Sequence, residues 1–290
     1  MIDWILIIVV MVWLLAATIF DIKTKEVPDW LNFTLIAIGV TIFALKSISE
    51  NSFLPIMHSL GYIVAFLVLA NIMYYTKQWG GGDSKLLIGV GATLPIYPVV
   101  LTKFFSPGIT INFPITILIN LVIVGAVYGL LWTIVLVFKH NKDFIKEYKK
   151  LNLKKKQLNK ILLIIFGAGV LVSFLITKEN ALRIIFSTIL AVPLITNYLL
   201  TFTKSVELTS MYKKVSVDKL REGDWITDKI IVDGKTIYSS KSVGVTNKQI
   251  EIIKKHRNEV TVKEGVAFVP AFLIAIIISL IFGNIFLLFL

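Results

Sequence analysis

Long apolar runs separated by short polar segments dominate this chain. A helix needs about 20 mostly apolar residues to cross a bilayer. Lacking the strict alternation of a barrel strand, the runs are predicted to be helices. We expect Pro95 and Pro98 to kink or end the fourth of them. The eight predicted spans cover about 4–20, 31–45, 56–75, 86–102, 113–138, 161–177, 183–201 and 266–290.

The composition agrees with a membrane protein. Hydrophobic residues make up 56% of the chain, and the mean hydropathy of +0.82 is far above the usual soluble balance. The first run carries Asp3 in place of a basic start, and "DIKTKEVPDW" follows it instead of a small-residue cleavage site. We therefore expect a retained helix, not a cleaved signal peptide.

The lysine distribution predicts the orientation. Segment 139–160 holds nine lysines against Asp143 and Glu147, which places it in the cytoplasm by the positive-inside rule. The same segment could be a solvated loop or an amphipathic helix lying on the membrane surface. Alternation then assigns the remaining cytoplasmic segments as 21–30, 76–85 and 202–265, and the opposite side as 46–55, 103–112 and 178–182.

Segment 202–265 differs from the rest in composition. "KVSV", "WITDKIIV", "KTIYSS" and "EVTV" have the character of short strands. "TNKQIEIIKKHRN" predicts a helix, with Thr246 and Gln249 in capping-box spacing. The fold class is therefore an all-α polytopic membrane protein of about eight transmembrane helices, with a small α/β cytoplasmic domain before the last helix. The predicted divisions are 1–138 (membrane domain with both aspartates), 139–160 (basic cytoplasmic loop), 161–201 (further helices), 202–265 (α/β domain) and 266–290 (last helix).

Charge and residue types exclude several functions. The net charge of +12 lies mostly in segments flanking the membrane, where it meets anionic lipid headgroups, and no basic groove with interleaved aromatics predicts nucleic-acid binding. The chain has no cysteine, which removes thiolate nucleophiles and cysteine-ligated zinc. Its three histidines are scattered over different predicted elements. We expect no metal and no cofactor.

Two aspartates fall at the same predicted membrane edge. Asp21 ends the first span, and Asp83 precedes the fourth. Two carboxylates that share a site do not easily both ionise, so one holds a proton while the other stays charged. Such a pair can activate water and protonate a leaving amine, which is the chemistry of aspartic proteolysis.

Three glycines, Gly80, Gly81 and Gly82, stand directly before Asp83. Glycine removes side chains and permits backbone angles closed to other residues, so a substrate backbone could approach the carboxylate. The alternative is a flexible turn in which Asp83 only caps the following helix.

The paired motifs "DIKTKEVPDW" and "GGGDSK" resemble the type IV prepilin peptidase family of membrane aspartic proteases, and most of all its archaeal preflagellin (prearchaellin) and prepilin peptidases. The resemblance covers roughly 21–92. "LREGDWI" and "GVAFVPAFLIA" resemble the carboxy-terminal domain and last helix of some archaeal members. Relative to the six-helix core of the family, the remaining helices are extra.

The resemblance implies roles for particular residues. Asp21 and Asp83 would be the catalytic dyad, and Gly80 and Gly82 the motif glycines. Around them lie Gly81, Lys23, Pro28 and Lys85 as motif or substrate-approach residues, and Glu26 and Asp29 as residues that could attract substrate.

The resemblance also implies a substrate and a location. Members cleave short basic leader peptides from prepilin-like precursors at the cytoplasmic face of the cell membrane. Bifunctional bacterial members carry a cysteine-rich zinc-binding insertion in the first loop and methylate the new N-terminus. The short first loop and the absence of cysteine here predict no methyl transfer.

Two other functions fit parts of the pattern. An intramembrane protease of the presenilin or signal peptide peptidase type also uses a GxGD motif, but it places a Tyr-Asp pair within a helix, whereas Asp21 follows Phe20 at a helix end. A transporter would need carboxylates near the bilayer midplane. Neither explains two aspartates at one face as well as leader-peptide cleavage does.

Overall fold

A computed structural model describes residues 2–108, 111–239 and 242–289, and most of them are helical. The helices are α1 (Ile2–Thr24), α2 (Asp29–Ser49), α3 (Leu54–Tyr75), α4 (Gly81–Thr93), α5 (Phe113–Lys139), α6 (Asn141–Lys154), α7 (Lys156–Ile176), α8 (Asn180–Val206), α9 (Asn247–Lys254) and α10 (Val269–Phe282). The strands are β1 (Tyr212–Ser216), β2 (Trp225–Ile226), β3 (Ile230–Val232), β4 (Lys235–Tyr238) and β5 (Glu259–Lys263).

A helix forms at each of the eight predicted apolar runs. Within the described residues, six helices are long and apolar enough to cross a membrane: α1, α2, α3, α5, α7 and α8. The other two, α4 and α10, are shorter than predicted. Helix α4 ends at Thr93, because residues that precede proline disfavour the helical conformation and Pro95 follows closely. Helix α10 ends before Gly283, whose φ of 74° stops the helix.

Six predicted positions fall outside the described residues. They are 1 at the start of the membrane domain, 109 and 110 in the second outward loop, 240 at the end of the "KTIYSS" strand, 241 after it, and 290 at the end of the last span.

The short helix α4 lies at the centre of the bundle. Its residues Leu86, Leu87 and Val90 are completely buried, in one core cluster with residues of α1, α2, α3, α5 and α10. Glycines on α4 allow this close packing: a Cβ on Gly89 would lie 2.8 Å from the Leu35 side chain, and one on Gly91 would lie 2.8 Å from Phe66. The helix that begins at the glycine motif is therefore fixed in position by its neighbours.

Helices α7 and α8 pack mainly against each other, outside the central core. Many of their apolar side chains point outward, including Leu171, Leu175 and Ile184. Outward apolar side chains on long apolar helices are typical of surfaces that face lipid. Together, the long helices and their outward surfaces describe a multi-pass membrane protein.

The segment between α8 and α10 folds as predicted into a small α/β unit. Strands β1, β5 and β2 form an antiparallel sheet in that order, and β3 and β4 form a hairpin across the turn at Asp233 and Gly234. Helix α9 begins with the predicted capping box between Thr246 and Gln249. Its residues Ile250 and Ile253 join the strands in a second, separate core.

Candidate active site

Asp21 lies in the last turn of α1 and is buried, with 5% of its surface exposed. Its Oδ2 accepts a hydrogen bond of 2.8 Å from the backbone N–H of Val269, at the start of α10. The helix ends three residues later, at Thr24, because Lys25 takes a positive φ of 60° while its N–H still bonds to the Asp21 carbonyl at 2.8 Å. The carboxylate is thus held at the point where the chain leaves α1.

Asp83 is the third residue of α4. Its Oδ2 accepts the backbone N–H of Gly80 at 3.3 Å, which is the reciprocal half of a helix cap. The capping alternative raised by the sequence is therefore real. It leaves the carboxylate's other oxygen for a second role, since an ionised carboxylate offers about four acceptor positions.

The two carboxylates lie at the same end of the bundle. Asp21 and Asp83 are far apart in sequence, yet the segment that follows Asp21 packs on the residue before Asp83, since a Cβ on Gly82 would lie 3.0 Å from the Val27 backbone nitrogen. The antiparallel packing of the bundle explains this, because α1 ends and α4 begins at the same end of the molecule. Asp3 and Lys46, at the start of α1 and the end of α2, form an ion pair at the opposite end.

The glycine motif, residues 80–83, packs against the segment that follows Asp21. A Cβ on Gly82 would lie 3.0 Å from the Val27 backbone nitrogen and 3.1 Å from its Cβ, whereas one on Gly81 would meet only Tyr74, at 3.6 Å. None of the three glycines has a positive φ. The expectation that they supply unusual backbone angles is wrong: Gly82 is needed for space.

The remaining predicted residues surround this contact. Lys85 donates to Asp29 at 2.5 Å, an ion pair that ties α4 to α2. Pro28 is the N-cap of α2, and its carbonyl accepts the N–H of Leu31 at 3.0 Å. Lys23 is exposed on the last turn of α1. The structure thus gathers the predicted residues around one pair of carboxylates, with Lys23 at the outer edge.

Glu26 already faces a cation of the protein. Its carboxylate lies 3.7 Å from the Arg221 guanidinium. The same guanidinium donates to the carbonyl of Thr24 at 3.2 Å. Arg221 belongs to the α/β unit, so this unit lies against the segment that follows Asp21.

Sequence reasoning missed three residues of the site: Arg221, Phe268 and Val269. The Phe268 ring packs on Trp79, directly before the glycine motif, with ring centroids 6.0 Å apart. Val269 contributes only a backbone N–H, which leaves no mark in a sequence. Arg221 and Phe268 fall in "LREGDWI" and "GVAFVPAFLIA", the two stretches whose likeness to archaeal members was noted without a role.

Part of the chain is similar to a known protein family. Residues 8–134 match the sequence profile of Peptidase_A24, the type IV leader peptidase family. That segment contains both Asp21 and Asp83. This part of the chain is similar to the type IV leader peptidase family, and the resemblance drawn from the two motifs is confirmed.

Three named relatives are similar to this chain. The chain is 19% identical to the prepilin peptidase EppA of Methanothermobacter thermautotrophicus, over 92% of this chain and 91% of the relative. It is 28% identical to the preflagellin peptidase of Methanococcus voltae, over 47% of this chain and 58% of the relative. It is 30% identical to the preflagellin peptidase of Methanocaldococcus jannaschii, over 37% of this chain and 47% of the relative. The chain thus spans about half the length of these two preflagellin peptidases.

Proposed function

We propose that this chain is a membrane aspartic endopeptidase in which Asp21 and Asp83 form the catalytic dyad. It removes short basic leader peptides from archaeal prepilin or prearchaellin precursors. The observation that carries the proposal is the placement of two carboxylates from separate motifs at one end of the bundle. The Val269 N–H holds one of them, and the Gly80 N–H holds the other. The family match over 8–134 and the names of the relatives support leader-peptide removal.

The chemistry follows from the pair. One carboxylate, ionised, takes a proton from a water molecule as that water attacks the scissile carbonyl carbon. The other carboxyl, protonated, donates its proton to the carbonyl oxygen. The tetrahedral intermediate then collapses: the leaving amine takes a proton from the carboxyl that received it from water, and one hydroxyl of the intermediate returns its proton to the other carboxylate. The described residues contain no group of three or more His, Asp or Glu side chains placed to hold a metal ion, and the proposed reaction uses none.

Substrate approach is proposed along the glycine motif, beside Asp83. Gly80 leaves that approach open because it carries no side chain, whereas a Cβ there would lie 3.4 Å from Asp83 Oδ2. Glu26 and Asp29 offer negative charge to a basic leader, although each already faces a cation, Arg221 or Lys85. Both pairs are partly exposed, so water and a competing lysine can replace these partners at little cost. Methyl transfer is not part of the proposal, because α2 begins at Asp29, shortly after α1 ends at Thr24.

Co-expression with candidate precursors tests the function. We expect an archaeal prepilin or prearchaellin to become shorter by its leader when this protein is present. Sequencing of the product's new N-terminus identifies the bond that is cut. A cut between the basic leader and the hydrophobic segment is expected, whereas a cut inside the hydrophobic segment would indicate a presenilin-type protease. If none of the precursors is cleaved and the protein carries ions across the membrane of proteoliposomes, the transporter function is favoured instead.

We propose that the dyad faces the cytoplasm, and cysteine labelling tests this orientation. The chain has no cysteine of its own, so single substitutions report one position each. Glu50, Lys149 and Lys235 are all exposed. In intact cells, an impermeant thiol reagent should label Glu50→Cys and spare Lys149→Cys and Lys235→Cys, which should react once the membrane is opened. The opposite pattern would place the dyad on the outer face.

A further inference from the structure

The carboxy-terminal part of the chain holds both ends of the short segment that begins with Asp21. At one end, the buried N–H of Val269 donates to Asp21 Oδ2 at 2.8 Å. At the other, Arg221 donates to the carbonyl of Thr24 at 3.2 Å and faces Glu26 at 3.7 Å. Both holding residues come from beyond α8, far outside the segment that matches the peptidase family.

The same part of the chain also contacts the approach to Asp83. Phe268, the neighbour of Val269, packs its ring on Trp79 at 6.0 Å between centroids. Gly80 follows Trp79 and donates its N–H to Asp83. The ring fits over Gly125 of α5, where a Cβ would lie 2.6 Å from Phe268 Cζ. One dipeptide, Phe268–Val269, therefore contacts the chain next to both aspartates.

The packing of the bundle makes these contacts important. Helix α4, which carries Asp83, packs mainly on α2 and α3, whereas α1, which carries Asp21, packs more on α10 than on α4. The distance between the two carboxylates therefore depends on where α10 begins. Because misplacement of a catalytic group by about 1 Å can cost on the order of 100-fold in rate, a group that fixes this distance affects the chemical step.

We infer that Phe268, Val269 and Arg221 are positioning residues of the dyad, and that the α/β unit and α10 complete an active site that the family segment alone does not. This inference rests on the proposed function. Phe268 and Val269 set Asp21 against Asp83, and Arg221 fixes the chain that leaves Asp21. A positioning role acts on the chemical step, so it lowers kcat and leaves KM nearly unchanged.

Replacement of Arg221 tests the outer contact. The side chain is 55% exposed, so its removal leaves the folded core intact. We expect Arg221→Ala to lower kcat about 3- to 10-fold, which is the range that the loss of one ordinary hydrogen bond produces. KM should stay within about twofold. Arg221→Lys should recover part of the lost kcat. Arg257→Ala, an exposed arginine of the same unit, is the matched control and should change neither constant. An Arg221→Ala enzyme with the kcat of the control would overturn the role of Arg221, as would a rise in KM alone.

Replacement of a single backbone N–H tests the inner contact. Val269 is the first residue of α10, where the N–H has no partner within the helix. An ester in place of its amide thus removes the bond to Asp21 without removing a helical bond. We expect kcat to fall roughly 10- to 100-fold, the range for a hydrogen bond to a charged group, and the pH profile of cleavage to shift.

The matched control is an ester at Ile274, an exposed residue further into α10. It removes a helical bond and should lower the yield of folded enzyme without shifting the pH profile, because an inactive fraction only scales the rate. Equal effects of the two esters on kcat and on pH dependence would overturn the inference.

The Asp83→Asn variant separates this inference from the proposed function. If Asp83→Asn is inactive and the Val269 ester has normal kcat, the dyad stands and the positioning role fails. If Asp83→Asn cleaves normally, the proposed dyad itself fails, whatever the esters do.

Discussion

Asp21→Asn and Asp83→Asn should each reduce precursor cleavage by roughly 10²- to 10⁴-fold, the usual contribution of a general acid or base. An asparagine keeps the shape of the side chain and one acceptor oxygen. The Val269 N–H can therefore still bond at position 21, and the Gly80 N–H can still bond at position 83. Both variants should insert in the membrane and accumulate as the parent does, so the loss would be chemical.

Two matched variants control for charge at the same site. Asp29→Asn breaks the ion pair with Lys85 and Glu26→Gln breaks the one with Arg221. Exposed ion pairs of this kind contribute about 0–1 kcal/mol, so both variants should keep most of their activity. The measurement is the rate of leader removal in membranes that contain equal amounts of each variant. Robust processing by Asp83→Asn would refute the proteolytic dyad.

The helical framework could be predicted from the sequence because apolar runs of membrane length have few alternatives to a helix. The two short helices were harder, since their length depends on local backbone signals. Pro95 was a visible signal for the end of α4. Gly283, which ends α10 through a φ of 74°, stands within an apolar run and gave no comparable signal.

The candidate site could be predicted only as far as side chains identify it. Asp21 and Asp83 stand out because carboxylates are scarce among the first 138 residues. Val269 could not stand out, because its contribution is a backbone N–H that every residue except proline has. The purpose of Gly82 was also hidden, since a sequence does not show that Val27 lies against it.

Gly82→Ala should have the second-largest effect among single substitutions at the site. The new Cβ would lie 3.0 Å from the backbone nitrogen of Val27 and 3.1 Å from its Cβ. These atoms belong to the backbone and to a buried, branched side chain, so neither can rotate away. The chain after Asp21 must move away from the start of α4, and the two carboxylates separate.

Gly81→Ala is the internal control for this prediction, because both glycines occupy the first turn of α4. In both variants alanine favours the helix by roughly 0.5–1 kcal/mol over glycine. A Cβ at position 81 meets only the Tyr74 ring, at an ordinary contact distance of 3.6 Å. Gly81→Ala should therefore keep its cleavage rate within about threefold, while Gly82→Ala should lose roughly 10- to 100-fold, since displacements of about 1 Å have that effect on catalysis. The measurement is the cleavage rate of each variant on equal amounts of membrane-inserted protein. Equal activity in the two variants would show that contact with Val27 does not set the distance between the aspartates.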